Sequence, residues 1–175
     1  RDTKLPLLRD PDSSYYLRQE KDGLLLGPYE KDCRAQWVDA SDPMPDDFSF
    51  QLYNDDLERL EWYIEDACER VPLLGTAGIT RVVNGPIPYT PDGLPLIGPM
   101  PSVPNAFEAC VFTFGIVQAG GAGKLLAEMI VEGETETDSW AVDPRRFTDH
   151  VDQAYVPAKA IETYSHEYAR HFPQI

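Results

Sequence analysis

The residues whose types and spacing hold the most chemistry lie between Phe107 and Gly133. Gly115, Gly120, Gly121 and Gly123 follow an aromatic and apolar run from Phe107 to Phe114, and Ala122, Leu125, Leu126, Met129 and Ile130 come next at helical spacing. The pattern predicts a strand, a glycine-rich turn over 115–123 and a helix over 121–132 that ends at Gly133. Glycines without Cβ let backbone N–H groups approach a ligand closely, and a helix N-terminus adds partial positive charge. The segment therefore predicts a site for an anion or an electron-rich group. Two nucleotide motifs do not fit it. A P-loop needs glycine where Gln118 stands and Ser or Thr where Leu125 stands, and the dinucleotide fingerprint needs glycine in place of Leu126. A glycine turn of purely structural use is the plainer alternative.

The other reactive side chains are scattered. Cys33, Cys68 and Cys110 are odd in number and lack a C-x-x-C spacing, so they read as reduced packing thiols in an intracellular protein. His150, His166 and His171 do not form a ligand set with carboxylates. His166 and His171 are five apart, which does not give one helical face for a metal pair, and no metal site is expected.

Several elements must position these residues. Ser14–Gln19 and Gly23–Tyr29 have strand composition, and Glu20-Lys21-Asp22-Gly23 between them is a hairpin turn sequence. The ribbon needs further strands, and the 79–89 segment is expected to supply one. Residues 39–48 read as an acidic surface loop. Asp55 and Glu58 have the form of a capping box for a helix over 55–71, with Leu57, Leu60, Ile64, Ala67, Cys68 and Val71 on its inner face and Pro72 as its stop. That helix is expected to cover the sheet. Seven of the sixteen prolines fall between Gly85 and Pro104, predicting a rigid, turning path with a tight turn at Pro91-Asp92-Gly93. The path is either a stiff connector or a wall beside a ligand. The tail carries Asp143-Pro144-Arg145-Arg146-Phe147 and a helix-like run from about Pro157 through His171.

The chain has 175 residues, 42% hydrophobic, with a formal charge of −15 from 30 acidic and 15 basic side chains. The excess of carboxylates argues against nucleic acid and against an anionic membrane surface as partners. No run of about 18 apolar residues is present, and Arg1-Asp2-Thr3-Lys4 lacks the apolar core of a signal peptide. The length suits one domain or two small ones. With no initial Met, the chain is expected to be a piece of a longer protein.

Four segments in order resemble the C-terminal half of the flavin oxidoreductase region in the dimethylglycine dehydrogenase and sarcosine dehydrogenase family. They are Leu5-Pro6-Leu7-Leu8-Arg9-Asp10 with Ser14-Tyr15-Tyr16-Leu17-Arg18; Gly23-Leu24-Leu25-Leu26-Gly27-Pro28-Tyr29-Glu30; Val83-Asn84-Gly85-Pro86 through Thr90-Pro91-Asp92-Gly93; and Phe114-Gly115-Ile116-Val117-Gln118-Ala119-Gly120-Gly121-Ala122-Gly123-Lys124, followed by Asp143-Pro144-Arg145-Arg146-Phe147. The resemblance implies FAD-dependent oxidative demethylation of an N-methylated amino acid, dimethylglycine or sarcosine. A hydride passes from the N-methyl carbon to the flavin, and the resulting iminium is hydrolysed to formaldehyde or captured by tetrahydrofolate. It implies that Phe114, Gly115, Ile116, Val117 and Gln118 contact the flavin, and that Tyr15 is an active-site tyrosine on the substrate-domain sheet. Tyr16 is an equally good candidate by register, since neighbouring strand residues face opposite ways.

The resemblance implies an α+β fold: a substrate-side antiparallel sheet domain over 1–106, a strand, glycine turn and helix over 107–150 returning to the FAD-binding domain, and a connecting tail over 151–175. Val111 and Thr113 depart from it, standing where relatives often have glycine or another small residue. The family's dinucleotide fingerprint and flavin-linking histidine are not in this chain, so the chain by itself is expected to bind FAD weakly or not at all and to be inactive. The expected location is the cytoplasm in a bacterium or the mitochondrial matrix in a eukaryote. The flavin's reoxidant is open between oxygen and an electron carrier. Two other readings stand beside the enzyme: a non-catalytic regulatory protein of the same fold, like the pyruvate dehydrogenase phosphatase regulatory subunit, and an acidic interaction domain without flavin.

Overall fold

The computed structural model describes residues 4–167. The described residues divide into two compact units, one comprising residues 4–34, 44–86 and 164–167, the other residues 35–43 and 87–163. Both strands and helices are present, so the fold is mixed α+β.

The first unit is built on a three-stranded antiparallel sheet in the order β1 (Leu8–Asp10), β2 (Tyr15–Glu20), β3 (Gly23–Pro28). The expected hairpin is present. Its register pairs Tyr15 with Pro28 and Glu20 with Gly23, leaving Lys21 and Asp22 as a two-residue turn. The third strand comes from upstream, with Asp10 opposite Tyr15, and not from 79–89, where no strand forms. That segment is held by Asn84, whose carbonyl accepts from Tyr53 N at 2.8 Å and whose side chain donates to the Asn54 carbonyl at 2.8 Å. With Pro86 and Pro88 in it, the segment has lost two of the backbone donors a strand needs.

Helix α1 (Glu61–Arg70) covers the sheet as expected. Tyr15, Leu17, Tyr63 and Ala67 form the buried core, with Leu8, Leu26, Leu60, Val71 and Leu74 packed against it. Full burial of a side chain such as Leu17 contributes about 1.5–3 kcal/mol. The helix starts later than its periodicity suggests. Residues 58–60 form a 3-10 turn, no side chain caps either element, and Leu57 is exposed. The proposed Asp55 cap does not form; Asp56 instead accepts from Arg59 N at 3.4 Å. Asp10, itself buried, ties helix to sheet. Its Oδ1 accepts from the N–H groups of Asp12 and Ser13, both at 3.0 Å, and its Oδ2 accepts from Arg70 at 2.6 Å.

The second unit holds a two-stranded antiparallel ribbon, β4 (Leu96–Pro99) with β5 (Phe107–Cys110), packed against helix α2 (Gly115–Val131). Gly98 permits that packing. Its φ is 148°, and a Cβ there would stand 3.2 Å from Pro144 Cδ and 3.6 Å from Met129 Sδ. The glycine-rich turn expected over 115–123 is corrected: the helix already runs through it. An interior glycine costs a helix about 1 kcal/mol relative to alanine. In α2 that cost is outweighed by a 17-residue length and by burial of Ala122, since packing decides most helices in proteins.

Helix α3 (Tyr155–His166) starts in this unit, with Asp152 accepting from the N–H groups of Ala154 and Tyr155 at 3.0 and 2.8 Å. This is the tail helix anticipated from Pro157; its proposed continuation to His171 lies outside the described residues.

Candidate functional site

The first four backbone N–H groups of a helix have no intrahelical acceptor, and in α2 no side chain takes their place. Phe114 occupies the cap position without a capping side chain, and the first helical bond runs from Gln118 N to the Phe114 carbonyl at 3.1 Å. Gly115, Ile116 and Val117 thus present uncapped donors at the positive end of the helix dipole. Beside them, Thr113 Oγ1 and Gln118 Oε1 are buried without a hydrogen-bond partner among the described residues. Ile116 is 100% exposed. On the outer face of α2, a Cβ at Gly120, Gly121 or Gly123 would meet nothing within 4 Å. Unsatisfied donors, two orphaned polar atoms and an open small-residue face together suit a planar, electron-rich group at the helix start. FAD fits these residues. The structure thus gathers all five sequence-predicted flavin contacts, Phe114 through Gln118, at one helix terminus.

The proline-rich path is braced beside this element by a carboxylate network that sequence reasoning did not find. In the turn, Gly93 N donates to the Thr90 carbonyl at 3.1 Å, and Asp92 accepts from Leu94 N at 3.1 Å and Thr90 Oγ1 at 2.9 Å. Arg146, whose side chain is only 8% exposed, donates to Asp92 through Nε at 2.7 Å and Nη2 at 3.0 Å, and to the Leu94 carbonyl at 2.9 Å. Burial pushes the Asp92 carboxyl up, but the Arg146 guanidinium, Leu94 N–H and Thr90 hydroxyl outweigh it and hold the group below its usual range. Asp143 accepts from Arg145 N at 2.8 Å and from its guanidinium at 2.6–3.2 Å. The Arg145 guanidinium is the main reason Asp143 also lies low. The signal was the Asp-Pro-Arg-Arg-Phe run itself, but Arg146 and Asp92 are 54 residues apart.

Tyr15 sits in the first unit. It is fully buried beneath α1, and its hydroxyl lies beside the Asp66 carboxylate with no hydrogen bond of standard geometry among the described residues. Burial, then the neighbouring Asp66 carboxylate, push its phenol up to about 12. Asp66 Oδ2 is likewise buried without a hydrogen bond of standard geometry among the described residues. Tyr16 is committed differently: its ring lies across Gly27, the residue opposite it on β3, where any Cβ would overlap the ring. Also in this unit, Glu30 gathers Arg59 at 2.6 Å and the Tyr164 hydroxyl at 2.8 Å. Burial, followed by Glu30, raises the Tyr164 phenol strongly.

A flavin-suited helix terminus on an α+β scaffold is consistent with what sequence comparison shows. The model of the FAD dependent oxidoreductase family matches residues 1–129, and the FAD dependent oxidoreductase central domain matches residues 132–175. The chain belongs to the FAD dependent oxidoreductase family. Among its relatives, the mitochondrial dimethylglycine dehydrogenase of Rattus norvegicus is 45% identical over 165 residues, covering 92% of this chain and 19% of that protein. The mitochondrial sarcosine dehydrogenase of Mus musculus is 37% identical over 174 residues, covering 97% and 18%. A formaldehyde-forming 4-methylaminobutanoate oxidase from Paenarthrobacter nicotinovorans is 35% identical over 174 residues, covering 98% and 21%. The chain thus spans about a fifth of the length of these relatives. Among the described residues, no helix is long and apolar enough to cross a membrane.

Proposed function

We propose that this chain forms part of an FAD-dependent oxidoreductase that oxidatively demethylates a small N-methylated amino acid, dimethylglycine or sarcosine. The observation that carries this reading is the uncapped start of α2, with Gln118 Oε1 and Thr113 Oγ1 orphaned beside it. Bound FAD supplies the hydride acceptor, which is chemistry no side chain of this chain can perform. The N–H groups of Gly115, Ile116 and Val117 would hold an electron-rich part of the flavin, aided by the helix dipole. Gln118, with its buried and unsatisfied Oε1, would stand beside it. The exposed face of α2, with Ile116, Gly120, Gly123 and Ala127 on one side, packs against the FAD-binding domain. Residues 1–106 serve as the substrate-side sheet domain, 107–150 return to the flavin domain, and 151–175 lead onward.

Tyr15 is the active-site tyrosine in this reading. Its hydroxyl is buried beside the Asp66 carboxylate with no hydrogen bond of standard geometry among the described residues, whereas the Tyr16 ring is packed against Gly27. With its phenol raised to about 12, Tyr15 stays protonated near neutrality and acts as a hydrogen-bond donor, not as a base. Tetrahydrofolate is the proposed one-carbon acceptor in the intact protein. The location is the mitochondrial matrix if the source is eukaryotic, as the names of the eukaryotic dehydrogenases indicate for those proteins, and the cytoplasm if bacterial. Neither nucleic acid nor a membrane is a partner.

Anaerobic addition of dimethylglycine or sarcosine to the full-length, flavin-loaded protein is expected to bleach the flavin band near ~450 nm. No bleaching with any N-methyl amino acid would overturn the reaction and favour a regulatory role for the fold. Tyr15→Phe is expected to slow flavin reduction by about tenfold or more and Tyr16→Phe by much less. Equal effects of the two substitutions on reduction would reject the assignment.

A further inference from the structure

We propose that Val111 sets the size of a cleft in the second unit that takes the N-alkyl portion of the substrate. The inference rests on the proposed function and deepens it by naming a specificity-determining residue. Val111 has φ 57°. A β-branched side chain in the left-handed region crowds its own backbone and is a genuine outlier. Glycine would adopt the same turn at the end of β5 without that crowding. Strain of this kind persists where the surrounding structure enforces it, commonly beside a functional site.

The side chain has a place that accounts for its retention. Val111 lines an open surface cleft of about 500 Å³ together with Tyr89, Leu96, Phe147 and Val156, with Thr90, Thr148 and exposed Asp149 also in its lining. The cleft is open to solvent on one side, and its mostly apolar wall with one carboxylate suits a cationic amine bearing a short alkyl group. Val111 precedes Phe114 by three residues, at most about 11 Å of extended chain, so this wall adjoins the backbone assigned to the flavin. The isopropyl group therefore limits how long an alkyl chain the cleft admits.

The test uses the full-length, flavin-loaded protein and its Val111→Ala, Val111→Gly and Val111→Ile variants. Anaerobic flavin reduction by N-methyl-, N-ethyl- and N-propylglycine gives kcat/KM for each. Equilibrium dialysis of N-propylglycine against the pre-reduced protein gives a Kd with no turnover. The alanine and glycine variants are expected to shift the propyl-to-methyl ratio of kcat/KM upward by about tenfold and to lower the Kd. The isoleucine variant, which keeps the branched side chain, should shift both the other way. Ratios and Kd values within about twofold of the original protein in every variant that folds would overturn the inference. Should the unsubstituted protein reduce its flavin with no N-methyl amino acid, the proposed function fails on its own, and the dialysis series still decides whether Val111 limits the cleft.

Discussion

Arg146 fixes the proline-rich path through one carboxylate. Its two bonds to Asp92 and one to the Leu94 carbonyl join a turn to a segment 54 residues away. Arg146→Ala is expected to cost about 2 kcal/mol in urea unfolding, a buried charged hydrogen bond discounted for the partial exposure of Asp92. The same network gives the fold an acid dependence. Asp92 and Asp143 both lie below their ordinary value of 3.8 when folded, so as pH falls the unfolded chain protonates first. Their contribution is complete above the unfolded value and is lost as pH drops below about 4 through the folded values. Unfolding curves from pH 7 to pH 2.5 should show this loss, and Arg146→Ala should flatten the share that Asp92 contributes, while the share of Asp143, held by Arg145, remains. An equally steep loss in the variant would place the acid sensitivity elsewhere. The turn at Pro91-Asp92-Gly93 is legible in the sequence because its determinants are local. Its brace is not, because no local signal connects residue 92 to residue 146.

The hairpin was readable for the same reason: alternation and the Glu20-Lys21-Asp22-Gly23 turn are short-range. What the pattern did not convey is the demand that Tyr16 places on β3, where Gly27 must leave its face clear. Gly27→Ala is expected to destabilise the first unit by about 1–3 kcal/mol through overpacking. Adding Tyr16→Ala should recover part of that loss, which a double-mutant cycle in urea measures; strict additivity would show that the ring is not the obstacle. The helix boundaries differ from their sequence patterns, for opposite reasons. Helix α1 begins at Glu61, after the proposed cap at Asp55, because Leu57 stays exposed and nothing buries the first turn. Helix α2 begins at Gly115, ahead of the predicted start, because packing against β4 and β5 overrides glycine's poor propensity. The anion-friendly site survives this correction. Its donors are those of a helix terminus, and the later glycines clear the outer face.

At the scale of the whole molecule, two surface properties oppose one another. A formal charge of −15 repels a second copy, while Ile116, Val117, Ile130 and Val131 stand 55–100% exposed along α2. An exposed apolar surface of this kind marks an interaction site, and in the proposed reading its occupant is the FAD-binding domain. Charge repulsion is screened by salt, with a Debye length of about 10 Å at 0.1 M falling to about 3 Å at 1 M, whereas apolar attraction is not. The 175-residue chain is therefore expected to sediment as a monomer at low ionic strength and to self-associate increasingly as sodium chloride is raised. Ile116→Asp with Val117→Asp should keep it monomeric across the series, since both changes put charge on the apolar face without touching Ala122 or the side packed on the ribbon. In the full-length protein the same pair should weaken flavin retention. Association that grows with salt equally in the substituted chain would move the sticky surface away from α2 and remove this support for its docking role.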